Sequence, residues 1–268
     1  MSHYLCQTCA TQFAASAEPP ARCPICEDER QYVNPRGQAW TTLEELQATH
    51  RTIIKSEEPG LSGIGIEPSF AIGQRALLIH RPEGNILWDC IPLLDEAALE
   101  QIQAWGGLSV IAISHPHYYS VMVEWSRAFG GIPIYLHAAD REWVMRPDPA
   151  IVFWEGDTHP LGEGVTLIHC GGHFAGSTVL HWAAGAQGQG ALLTGDTLYV
   201  TFDTRYVSFM YSYPNLIPLP VRAIERIVGA IEPYPFDRLY AAWFDKVVAA
   251  DAKRAVARSA ERYIRAIQ

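Results

Sequence analysis

The stretch AISHPHYYSVMVEW, residues 112–125, decides how this chain is read. It begins inside LSVIAIS (108–114), whose length and branched residues predict a buried strand, and it runs into VMVEWSRAF (121–129), which has helical spacing. His115 and His117 therefore stand just past a predicted strand end. In an extended segment residues i and i+2 lie on one side, so both imidazoles can face one ion. Alone, a His-x-His pair is equally consistent with two packed or surface histidines.

Two later segments shift the balance. GGHFAGS (171–177) carries His173 between glycines, after the strand-like run VTLIHC (165–170). LLTGDT (192–197) ends an apolar run in Asp196. Taken singly, His173 reads as a turn histidine and Asp196 as a turn or cap residue. A carboxylate at the end of a buried strand needs a partner for its charge, and a cation supplies one. Three features at strand ends in one chain point to a shared site.

The order His-x-His, GGHFAGS, GDT resembles the metallo-β-lactamase fold superfamily over roughly residues 60–245. The resemblance implies an αββα sandwich in the α+β class, with a metal centre at the sheet edges. It implies one or two Zn²⁺ ions, sometimes iron, that activate water. His115 and His117 match the start of the family's His-x-His-x-Asp-His signature. His173 matches the third histidine of the first metal site, and Asp196 the acidic residue that often bridges two ions. The chain departs from the pattern at Tyr119, where the signature has Asp, and at Ser120, where it has His. A later family histidine also has no counterpart in LYAAWFDKV, which offers Ala242, Trp243 and Phe244. His115, His117, His173 and Asp196 remain, enough for a mononuclear centre of Zn²⁺, Fe²⁺ or Mn²⁺. The implied activity is hydrolysis of a small ester, thioester, lactone or phosphoester. Asp196 is the candidate ligand or base. Tyr118 and Tyr119 are candidate oxyanion donors, or packing aromatics that fill the vacated metal position. Asp89 resembles a structural Asp of this fold and is expected to order a turn beside the site.

Cys6-x-x-Cys9 and Cys23-x-x-Cys26 form a second constellation. Each pair can bite one ion from a tight turn, and two turns complete a tetrahedral thiolate site. This predicts a rubredoxin-like zinc ribbon over residues 1–35, with a structural Zn²⁺ closed to substrate. A redox dithiol is the competing reading, and it would not need the second pair. Cys90 and Cys170 read as small buried hydrophobes. His169 and His181 alternate within strands and read as core or surface residues.

Around these sites the sequence is that of a globular chain. Of 268 residues, 49% are hydrophobic and 18% charged, enough apolar material for a sizeable core. The net charge of −9 speaks against nucleic acid or an anionic membrane as main partner. No apolar run is long enough for a membrane span, no secretory signal is visible, and the cytoplasm is the default location. Residues 36–59 read as a linker plus a short helix capped by Thr41 and Glu44, and 60–268 as the metallo-β-lactamase-like domain. A hairpin is predicted over 76–90, helices over 93–104, 221–231 and 246–267, and strands at 132–137, 178–182 and 237–244. The aromatic-rich segment 202–220, with Asp203, reads as a lid over the pocket or as a plain surface loop. Three functions stay open: a hydrolase of a small molecule, a catalytically silent binding or scaffolding protein, and a nucleic-acid-processing protein docked through the ribbon.

Overall fold

The computed structural model describes residues 1–268. Contacts divide the chain into two units, Met1–Leu136 with Arg141–Phe153 and His137–Asp140 with Trp154–Gln268. Each is built around its own sheet. No helix is long and apolar enough to cross a membrane.

The first unit carries a seven-stranded sheet whose order follows the chain: Arg51–Glu58, Leu61–Glu67, Ala76–Ile79, Asn85–Trp88, Leu108–Ala112, Ile134–His137 and Ile151–Trp154. The expected hairpin pairs Leu77 with Trp88 and Leu78 with Leu87. The next two pairings are parallel and need crossovers. The first crossover is the helix Glu96–Ala104, capped by Asp95, whose carboxylate accepts the Ala98 N–H at 2.9 Å. The second contains His115, His117 and the helix Met122–Ala128. Both histidines thus lie beyond the C-terminal end of a parallel strand, where open α/β sheets place their ligands.

Two expectations for this unit are corrected. The stretch 36–59 is not a linker with one helix, because Arg51–Glu58 is a full edge strand paired with Leu61–Glu67. Its alternation is muted by Lys55 and Ser56 on the open edge, which is why pattern alone missed it. The capping box also sits one residue later. Thr42 accepts the Glu45 N–H at 3.3 Å and the Glu45 carboxylate reaches back to the Thr42 N–H.

The second unit holds a six-stranded sheet in the order Thr158–Gly162, Val165–His169, Thr178–Trp182, Ala191–Leu193, Arg238–Tyr240 and Val247–Val248. The pairing of Ala191–Leu193 with Arg238–Tyr240 is parallel. The helix Val221–Ile231 lies between them in the chain, with the residues predicted for it. Its buried positions Ile224, Ile227 and Ile231 fall on one face and pack with Ala252, Val256 and Ala260 of the last helix. Each such isoleucine contributes about 1.5–3 kcal/mol through burial. The last helix spans Ala252–Ile267 rather than starting at 246, because Val247–Val248 is taken up as an edge strand and Asp251 adopts a left-handed backbone before the helix.

The segment 202–220 is also more ordered than a lid or loop. Val207–Ser208 pairs with Tyr199–Val200, and Met210–Ser212 pairs with Ile217–Pro218. Phe209 and Leu219 anchor it in the core, while Phe202 stays 97% exposed.

Candidate metal centres

The ribbon cysteines meet as expected. The sulfurs of Cys6, Cys9, Cys23 and Cys26 all lie within 4.8 Å of one another, a group able to hold a metal ion. Cys6 Sγ is 3.5 Å from Cys26 Sγ, and Cys9 Sγ is 3.7 Å from Cys23 Sγ. The first knuckle closes by the Ala10 N–H donating to the Cys6 carbonyl at 2.8 Å, with Ala10 in the left-handed region. Hydrogen bonds from Cys23 and the other thiols push Cys6 far below the ordinary thiol range. The same bonds, Cys23 first, push Cys9 and Cys26 up. Four buried sulfurs this close together are an arrangement that a soft cation completes with four thiolates.

The first unit carries half of the second candidate ligand group. His115 and His117 are 1% and 2% exposed, with ring centroids 5.2 Å apart. The backbone differs from the extended alternation expected of it. Pro116 opens a single 3-10 turn, Pro116–Tyr118, with His115 as its extended cap. The proline fixes φ where the turn's N–H has no partner to lose. Asp89 plays the turn-ordering part expected of it: its carboxylate accepts the Ser114 N–H at 2.8 Å. Ser114 Oγ in turn lies 2.8 Å from His115 Nδ1. Tyr118 packs against the His115 ring at 4.4 Å, and Tyr118 and Tyr119 are 0% and 2% exposed.

The second unit carries the other half, His173 and Asp196, 1% and 5% exposed. His173 sits on the turn between Val165–His169 and Thr178–Trp182. Gly171 and Gly172 take left-handed φ values there, +68° and +86°. The Ser177 hydroxyl accepts the Phe174 N–H at 2.7 Å, and the Ser177 carbonyl accepts from Cys170 and Gly171. The buried Asp140 carboxylate accepts the Gly176 N–H at 2.7 Å. A Cβ on Gly176 would lie 2.7 Å from that carboxylate. Gly176→Ala is therefore expected to displace the His173 turn and lower the melting temperature, a change that differential scanning calorimetry reads directly. Core overpacking of this kind costs about 1–3 kcal/mol.

His173 Nδ1 lies 3.2 Å from the Met210 carbonyl, which can only accept, so Nδ1 is the donor and Nε2 is the ring nitrogen turned to Asp196. That Nε2 lies 3.9 Å from Asp196 Oδ2. An imidazole nitrogen and a carboxylate this close, both buried, are a donor pair that could hold a metal ion. Tyr213 supports the pair: its hydroxyl donates to the Asp196 carbonyl at 2.9 Å and its ring lies 5.8 Å from His173. Burial first, and Asp196 next, push the Tyr213 phenol well above its ordinary range. Asp140, Met210 and Tyr213 were not legible in the sequence. Their roles depend on pairing within 199–218 and on a turn that returns at Asp140, neither of which has a motif.

Other histidines are structural. His181 Nε2 donates to the Pro235 carbonyl at 2.7 Å, and His169 stacks on His137 with centroids 3.7 Å apart. Burial holds His137, His159, His169 and His181 below the ordinary imidazole value of 6.5. Unfolded, they take up protons near 6.5; folded, only at lower pH. The unfolded state binds more protons in that window, so stability falls as the pH drops below about 6.5. Urea midpoints measured between pH 7.5 and 5 are expected to decline accordingly. Cys90 and Cys170 are fully buried, and burial lifts the Cys170 thiol to about 12, as small inert core residues require.

The fold defines a class. Solved structures that share the fold include the DIM-1 metallo-β-lactamase exposed to ceftazidime, with TM-score 0.59 and 12% identity, covering 81% of this chain and 98% of that one. VMB-1 gives TM-score 0.60 at 12% identity over 81% of this chain and 99% of its own. The Cronobacter sakazakii metallo-β-lactamase with a HARLDQ motif gives 0.51 at 19% identity, over 80% and 92%. The chain has the α+β fold of the metallo-β-lactamases, preceded by a four-cysteine cluster that fits a zinc site. No family model matches it. It is 51% identical over 269 residues to the uncharacterized protein YmaE of Bacillus subtilis (strain 168), covering 100% of this chain and 97% of that protein, and it belongs to the same family.

Proposed function

We propose that this protein is a metal-dependent hydrolase of a small ester, thioester, lactone or phosphoester, with one ion held by His115, His117, His173 and Asp196. The observation that carries the reading is the buried His173–Asp196 pair, whose ring nitrogen Nε2 faces a carboxylate in a four-residue group able to hold a metal ion. Three imidazoles and one carboxylate suit Zn²⁺, Fe²⁺ or Mn²⁺. Bound there, such an ion would acidify water and polarise a substrate oxygen. The chain's own groups do the rest. Ser114 and the Met210 carbonyl orient the His115 and His173 rings. The Asp196 carboxylate acts as ligand or takes up a proton, not both at once. The Tyr118 or Tyr119 hydroxyl donates to a developing oxyanion. Tyr119 and Ser120 in place of Asp and His leave one ion rather than two. At the ribbon we assign a structural Zn²⁺. A net charge of −9 favours a small molecule over nucleic acid as substrate.

A catalytically silent binding or scaffolding role is the second reading, favoured by the same replacements at Tyr119 and Ser120. The metal-loaded chain should be assayed against p-nitrophenyl acetate, an acyl thioester, a lactone and bis-p-nitrophenyl phosphate. The hydrolase reading expects turnover of at least one class, abolished in His117→Ala while the fold persists. Absence of turnover with all four, at full metal occupancy, supports the silent role.

A further inference from the structure

The hydrolytic reading leaves the ribbon unused, yet the ribbon is fastened to the loop that carries His115 and His117. Gln12 is the fastening point. It follows the first knuckle, pairs across to Leu5 inside the ribbon, and on its other side donates its backbone N–H to the Ser120 carbonyl at 3.2 Å. Ser120 is 3% exposed and held at a left-handed φ of +45°, a conformation that a non-glycine residue keeps only under surrounding constraint. The Gln12 side chain continues the link. Its amide lies 3.4 Å from the Glu124 carboxylate on the helix after the histidines, and Arg146, 5% exposed, donates to both Gln12 and Glu124. A second seam runs beside it: the Ala14 N–H donates to the Met145 carbonyl at 3.1 Å, and Met145 and Trp143 pack on the cysteine cluster.

Every contact in this chain lies within the first unit. Ser120 is also where the family signature would place a metal-ligating histidine. In this chain that backbone position is held by the ribbon through the Gln12 N–H. We propose that the four-cysteine knuckle is a positioning element for the His115–His117 loop, acting through Gln12. Metal at the cysteines then raises metal affinity at the histidines, a second half that rests on the metal reading above. The ribbon's segment has a very small core, so its order depends on its ion. Loss of that ion, or oxidation of the thiols to disulfides by an added oxidant, releases Gln12 and with it the loop. The coupling free energy is reciprocal, but the histidine loop contributes no ligand to the ribbon, so losing the histidine site leaves the thiolate coordination itself intact.

The test uses the full chain and Co²⁺ alone as probe, because thiolate and imidazole sites give distinct visible spectra. Gln12→Ala and Arg146→Met should leave the thiolate–Co²⁺ band intact. They should weaken Co²⁺ at the histidine site by about 10- to 100-fold, the range seen when groups that orient ligands are removed. Amide exchange at residues 114–121 should speed up about tenfold in both variants. Cys23→Ser should reproduce the faster exchange, and His117→Ala should leave the thiolate band unchanged. Arg146→Lys is a milder variant should Arg146→Met not fold. Unchanged exchange at 114–121 in Gln12→Ala and Cys23→Ser overturns the proposal. Should wild type take Co²⁺ only at the cysteines, the histidine-site reading falls, and the exchange comparison alone still decides whether the ribbon holds the loop.

Discussion

Alanine at His173 is expected to leave one metal ion on a chain that otherwise holds two, and alanine at His117 to do the same. Inductively coupled plasma mass spectrometry on dialysed protein reads this stoichiometry. The argument starts from the buried pair in the second unit. With Nδ1 committed to the Met210 carbonyl, His173 can offer only Nε2, and Asp196 Oδ2 lies 3.9 Å from it. Asp196→Asn separates the roles of charge and shape, and its effect should change sign with metal. Without metal, asparagine removes a carboxylate charge whose burial is costly, so the apoprotein should gain stability, on the order of 1–3 kcal/mol. With saturating metal the variant should be the less stable form, because a ligand and its charge are gone. Parallel melting curves with and without Zn²⁺ distinguish the two. An Asp196→Asn variant destabilised equally in both conditions would falsify the cation reading of this pair.

How much of this was legible beforehand follows from where the determinants lie. The candidate ligands His115, His117, His173 and Asp196 follow the ends of short strands, with glycine or proline beside them, and such punctuation survives in a single sequence. The helix Val221–Ile231 was legible for a similar reason: Ile224, Ile227 and Ile231 repeat at helical spacing, with Arg222, Glu225 and Arg226 between them. The edge strand Arg51–Glu58 was not, since an open edge carries the polar residues that also mark linkers. Nor were the short pairs within 199–218, whose two- and three-residue strands are too brief for any period to show. That segment supplies Met210 and Tyr213 to the His173–Asp196 pair. The unreadable part of the site is thus the part made of backbone carbonyls and long-range pairing. Asp140 belongs to the same class: a buried carboxylate that holds Gly176, identifiable only once the turn is seen.

The ribbon yields the other large effect. Cys26→Ser, or a strong chelator added to the wild type, is expected to unfold residues 1–40 while the rest of the chain keeps its fold. Limited proteolysis should then cut within that segment, and at saturating metal the content of Cys26→Ser should fall by one. The ribbon's apolar interior amounts to Leu5, Phe13 and Ile25 beside the four cysteines, joined by Trp40 and a two-residue strand pair. Three such side chains contribute only several kcal/mol on burial. Structural Zn²⁺ sites bind with an apparent 10–16 kcal/mol near neutral pH, more than that burial, so the ion outweighs the local packing, to which Trp143 and Met145 add. Because the ligands must be thiolates, acid competes with the metal, so the same segment should open on lowering pH before the second unit's core around Ile224 and Ile227 does. Persistence of protease resistance in residues 1–40 after complete metal removal would mean that packing, not thiolate coordination, holds the ribbon.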